Sequence, residues 1–163
     1  MIDFQTNLDK ITKKLEDYDK VVFIIAGDGI PGHLELNYQS AGEKLVRLVH
    51  LDNFLKPIKQ AFQDKLVCVQ LAACECMKDG SLTQILESLE IAAVGYTKQV
   101  DWSDSASVDL HFLMKLTEDQ GDVATAYKLV KSGMEGLVRQ TGFTMFNPRI
   151  INKKPAKGSK KPK

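Results

Sequence analysis

Few of the features that identify a protein by inspection are present in this sequence. Its 163 residues hold only one tryptophan, three histidines and three cysteines. Cys68, Cys74 and Cys76 are odd in number and lie close together, which argues against a disulfide framework and suits a reducing compartment. On a helix, Cys74 and Cys76 would point about 200° apart. The three histidines, His33, His50 and His111, fall in no ligand spacing, so neither a metal site nor a cofactor is expected. The opening residues MIDFQTNLDK lack the basic and apolar regions of a secretory signal. The longest apolar run, Val21 to Ala26, has six residues where a membrane span needs about 20. A cytoplasmic chain with no transmembrane segment is the expectation. There is no GxSxG elbow, no HExxH and no EF-hand loop, so no catalytic set is assigned and an enzyme is disfavoured.

Acidic charge is missing from one end. All 21 Asp and Glu residues precede position 136, whereas Arg149, Lys153, Lys154, Lys157, Lys160, Lys161 and Lys163 close the chain. Removing those seven from the 22 basic residues leaves fifteen against 21, so the net charge of +1 divides into a body near −6 and a tail of +7. From Asn152 onward the tail has no apolar residue larger than alanine or proline, the composition of a disordered segment. Its lysines suit salt-sensitive, sequence-independent contact with phosphates, or contact with an acidic protein surface.

What is present reads mostly as helix. Phe4, Leu8, Ile11, Leu15 and Tyr18 make one apolar stripe. The β-branched and aromatic run Val21–Ile25 meets the breakers Gly27-Asp28-Gly29-Ile30-Pro31-Gly32, and residues 33–39 then alternate apolar and polar, so a β-hairpin is expected over 21–39. Helices are expected from Ser40 to near Leu55, from Pro57 to Met77, from Leu82 to Tyr96, from Ser105 to Leu116 and from Asp122 to Gln140. The segment from Leu66 to Met77 is apolar nearly all round, as in the central helix of a bundle. The expected architecture is mainly α: a single compact helical bundle over residues 1–147 with an N-terminal hairpin, and a disordered Lys-rich tail over 148–163.

One segment resembles a site. The glycine-rich loop after Val21–Ile25 offers backbone N–H groups to a phosphate, but no lysine or hydroxyl residue follows to complete the grip. Asp28 and His33 flank it as a weak acid and base pair, with no nucleophile at a defined spacing. Lys128, Lys131 and Arg139 make a modest basic strip, but the turn before their helix is acidic and would repel phosphate. The sequence therefore points to a non-enzymatic interaction module, such as an adaptor, chaperone-like or assembly subunit. It would bind a protein partner or itself through spare apolar residues such as Trp102, Phe112 and Phe146. The alternative is an accessory nucleic-acid-binding protein acting through Arg149 and the tail lysines.

Overall fold

A mainly apolar run buried on both faces belongs in the middle of a parallel sheet, and residues 66–72 occupy that place. The computed structural model describes residues 4–40 and 43–148. Its elements are α1 (Phe4–Lys14), β1 (Val21–Ala26), β2 (Asp28–Ile30), β3 (His33–Ser40), β4 (Glu43–His50), α2 (Asp52–Phe62), β5 (Leu66–Ala72), α3 (Gly80–Ser88), β6 (Ala93–Tyr96), α4 (Trp102–Glu118), α5 (Val123–Gly133), α6 (Glu135–Thr141) and β7 (Phe143–Phe146). Strands β1, β5, β6 and β7 form one sheet in that order. The first three are parallel, and β7 returns antiparallel to β6. Strands β2, β3 and β4 form a separate antiparallel ribbon.

The architecture is thus a mixed α/β fold, not a helical bundle. Alternation along β5 and β6 divides the core in two. Val69, Leu71 and Ala93 pack with Leu55, Ile58, Leu82 and Leu86 of α2 and α3. Cys68, Val94 and Tyr96 pack with Val108, Phe112, Ala126 and Val130 of α4 and α5. Each buried Leu, Val or Phe contributes about 1.5–3 kcal/mol by leaving water, so the three layers hold together chiefly through this strand pair.

The departures at the two central strands share this cause. A strand covered by helices on both faces reads as one continuous apolar run, and periodicity alone does not separate it from a buried helix. Leu66–Ala72 is accordingly β5, and the helix begun at Asp52 stops at Phe62. Ala93–Tyr96 is β6 rather than the end of a helix, and residues 43–50 are β4 rather than the start of one. The two strands expected to form a hairpin over 21–39 both exist, but β1 pairs with β5 and it is the short β2 that pairs with β3. The helix expected over 122–140 breaks into α5 and α6 at Gly133–Met134. Asp122 does cap α5, accepting from the amides of Ala124 and Thr125, and Gly142 ends α6 at φ 67°.

Close approach of β5 and β6 requires a glycine. A Cβ on Gly95 would lie 2.8 Å from the carbonyl oxygen of Leu71, which belongs to the neighbouring backbone and has little room to move. Gly95→Ala is expected to destabilise the fold by about 1–3 kcal/mol through overpacking, read as a lower urea midpoint at unchanged m-value.

Candidate functional site

In open α/β sheets, ligands enter at the carboxyl ends of the parallel strands, where the chain turns away to opposite faces. Here that edge brings together Gly27 and Asp28 after β1, Ala72 to Cys74 after β5, and Val100, Trp102 and Ser105 at the start of α4. Together they line a cavity of about 70 Å³. The backbone N–H of Gly27 donates to the carbonyl of Ala72 at 3.3 Å, closing the floor between the two strands. Cys74 accepts from the Val100 amide at 3.4 Å through its sulfur. The other two thiols are sealed in. Burial pushes Cys68 and Cys76 up to about 12, and the sulfur of Cys76 lies 3.5 Å from the His33 carbonyl.

The two residues singled out from the sequence go to different places. Asp28 lines the cavity beside Cys74, whereas His33 is not part of its lining. The Nδ1 of His33 is 2.9 Å from the Pro31 carbonyl, and its ring stands edge-on to His50 at 4.8 Å. The Nδ1 of His50 in turn meets Asp52 at 3.0 Å. Asp79 completes this corner. The hydroxyl and amide of Ser81 hold its carboxyl below the usual range, with the two histidines adding a smaller pull. Gly27, Gly29 and Gly32 do have the G-x-G-x-x-G spacing of a dinucleotide loop, but β2 and β3 follow instead of a helix. Gly32 serves the turn at φ 72°, and Gly29 packs so close that a Cβ would meet the Cys76 sulfur at 2.6 Å. No group of three or more His, Cys, Asp or Glu side chains fit to hold a metal occurs among the described residues.

Beneath the cavity lies a polar contact that periodicity does not reveal. The Tyr96 hydroxyl, buried between sheet and α4, is 2.6 Å from Asp109 Oδ1 and 3.0 Å from the Ser105 carbonyl. Burial raises the Asp109 carboxyl above the ordinary range against the opposing pull of Tyr96 and of Gln70. Burial likewise drives the Tyr96 hydroxyl far up, with the Asp109 carboxylate adding to it, so the tyrosine stays protonated and donates.

The opposite, amino end of the sheet opens a larger cleft of about 610 Å³, lined by Asp19, Asp64, Glu90, Asp119 and Asp122 and reaching Asn147 and Pro148. Five carboxylates at this spot repel phosphate. The charged tail residues Arg149, Lys153, Lys154, Lys157, Lys160, Lys161 and Lys163 lie outside the described residues, so the cleft is the described surface next to the root of the tail.

A further surface is the outer side of α4. At 100° per residue, Trp102, Leu113, Ala106, Thr117, Leu110, Ser103, Met114 and Ser107 fall in that order within an arc of about 140°. None of them is charged. Trp102 is 66% exposed, Leu110 68% and Met114 51%. The charged residues of α4 lie outside this arc. Asp104 accepts from Gln140 at 2.8 Å, Lys115 pairs with Glu118 at 2.7 Å, and Asp109 faces Tyr96. The sequence starts this helix only at Ser105 and counts Trp102, Phe112 and Phe146 as spare apolar residues. Instead, Trp102 opens the helix, Phe112 is fully buried and Phe146 is half-buried against the core.

Two measurements follow from these environments. Cys74 is the thiol expected to react first with iodoacetamide in the native protein, at least about tenfold faster than Cys68 and Cys76, as read by peptide mass mapping. For Asp109, a raised folded-state pKa means that its contribution to stability is fully present below the ordinary carboxyl value and is lost as pH rises through the raised one. Asp109→Asn, which keeps an acceptor for Tyr96 and does not ionise, is expected to be more stable than the parent at pH 7. The gap in urea midpoint should close near pH 4. No known protein-family model matches this chain, and no curated protein matches it.

Proposed function

We propose that this protein is a protein-interaction module that docks a partner on the outer face of α4. The observation that carries this reading is the uncharged arc running the length of a 17-residue helix whose other side is anchored in the core. A solvent-facing helix side normally alternates charge with polarity. A contiguous face with exposed Trp, Leu and Met is instead the composition of a binding surface, where aromatic residues and methionine are enriched and charge is depleted. The anchoring also matters energetically. A face held rigid by Val108, Phe112 and Leu116 underneath loses little conformational freedom on binding.

The ribbon is a weaker candidate. It exposes Leu36 on one face and Val46 and Leu48 on the other, so its apolar side chains are divided and Arg47 interrupts them. A nucleic-acid role would have to rest on Arg149 and the tail lysines alone, because the adjacent cleft is acidic. That composition gives α4 the preference.

The double variant Leu110→Glu/Met114→Glu sets two charges in the middle of the face without touching the core. Both side chains are exposed, so thermal stability is expected to change by less than about 0.5 kcal/mol. Proteins retained from a native extract by the immobilised full chain should be lost with the variant, since one desolvated charge in an apolar contact costs several kcal/mol. A retained set that is identical for parent and variant overturns the proposal.

A further inference from the structure

Each parallel strand of the main sheet is entered through a turn that brings a carboxylate with it: Asp19 before β1, Asp64 before β5 and Glu90 before β6. Asp119 and Asp122, between α4 and α5, join them around the cleft of about 610 Å³ at the amino end of the sheet. Lys20 is the cation of this lining, and its ammonium already donates to the carbonyl of Gln120. Five carboxylates against one ammonium leave the cleft with a charge of −4. Asp19, Asp64, Glu90 and Asp119 take part in no ion pair among the described residues. Oδ2 of Asp119 is buried and has no hydrogen-bond partner. A buried acceptor without a donor is costly, and a concave surface of one sign concentrates its field, so both features call for a cation. It is not a single ion, because no three of these carboxylates are grouped to hold a metal. The fitting ligand is extended, with several positive charges spaced along a chain.

We infer that this ligand is the Lys-rich segment of the same chain, residues 149–163, docked in the cleft from its own root. Topology delivers it there. Strand β7 runs antiparallel to β6 with Phe146 opposite Ala93, so the chain leaves the sheet at the edge where the parallel strands begin. Asn147 and Pro148 are themselves part of the lining, and Arg149 is the next residue. At no more than about 3.6 Å per residue, Lys153 stays within about 18 Å of Pro148. A short tether of that kind sets an effective concentration of roughly millimolar order, which a free polycation has to match. The six lysines are spread over residues 153–163 rather than bunched, as the separated carboxylates require. Exposed ion pairs are individually weak and screened by salt, so the docked state depends on their number and dissolves at high ionic strength. Docking also makes the cleft a competitor of any phosphate polyanion for the same lysines. The inference is independent of the docking role of α4.

Zero-length carbodiimide cross-linking of the full chain at low salt, mapped by mass spectrometry, tests it. An equimolar mixture of ordinary and nitrogen-15 chains tells links within a chain from links between chains. Lys153–Lys163 are expected to link to Asp19, Asp64, Glu90 or Asp119 within one chain, at least about fivefold more often than to Asp28 and Asp101, with the excess lost at 0.5 M salt. Asp64→Asn/Glu90→Gln removes two exposed carboxylates and should lower the links to Asp19 and Asp119 several-fold. Links at the pairs Lys78–Glu75 and Lys115–Glu118 should stay constant in every sample and report an intact fold. The Leu110→Glu/Met114→Glu chain should give the parent's links, so the fate of the α4 reading does not decide this one. Tail links spread evenly over the carboxylates of the molecule overturn the inference. Links found only between chains overturn it as well, as do links to Asp19 and Asp119 that ignore the loss of Asp64 and Glu90.

Discussion

Everything in this fold depends on β5 being buried on both of its faces. Val69 and Leu71 reach into the layer formed by α2 and α3, while Cys68 reaches into the layer formed by α4 and α5. Because the strand is flanked by β1 and β6 in parallel register, its backbone groups are satisfied within the sheet, and helices can cover both faces without orphaning them. The consequence for function is positional. The carboxyl end of the same strand delivers Cys74 to one small cavity, where it meets Asp28 from the end of β1, while its α4-facing side fixes the helix whose outward side is free.

The polar interior serves that helix too. Tyr96, Ser105 and Asp109 tie α4 to β6 at its first two turns, where an apolar contact alone would leave the rotation of the helix loosely set. Fixing that rotation determines which residues face out. The same link carries an electrostatic cost at neutral pH, since Asp109 is buried enough to hold its proton more tightly than a free carboxyl does. Gln70, 1% exposed on β5, adds a smaller pull on this carboxyl, while its own amide nitrogen and oxygen make no hydrogen bond.

Legibility in the sequence varied with the kind of signal. Local signals were readable: the amphipathic stripe of α1, the cap at Asp122, the stop at Gly142 and the β-character of Val21–Ile25 each reflect a few neighbouring residues acting on their own backbone. The central strands were not. Leu66–Ala72 has the composition of a buried helix as much as of a buried strand, and only pairing with a strand 45 residues earlier in the chain, Val21 with Leu66, selects between them. Ala93–Tyr96, four residues long, is shorter than one period test can resolve. Asp28 was visible as part of a glycine-rich loop, but its neighbour Cys74 was not, because nothing local connects positions 28 and 74. The apolar line on α4 was hidden for a related reason. Trp102 stands among Asp101, Ser103 and Asp104, which read as loop, and Phe112 and Leu110 look equally available until packing assigns one to the core and the other to solvent.

By itself the sequence determined the partition of charge. Acidic residues fill the body and lysines the end, a property of composition that no folding alters. It also determined that some helices would be amphipathic and where several would start or stop, since caps and breakers act over three or four residues. The tertiary structure alone decided that the apolar runs would become a sheet and which side of each helix would stay wet. Both are outcomes of competition among distant segments for the same buried area, and the free energy that settles it belongs to the assembled layers rather than to any one stretch of chain.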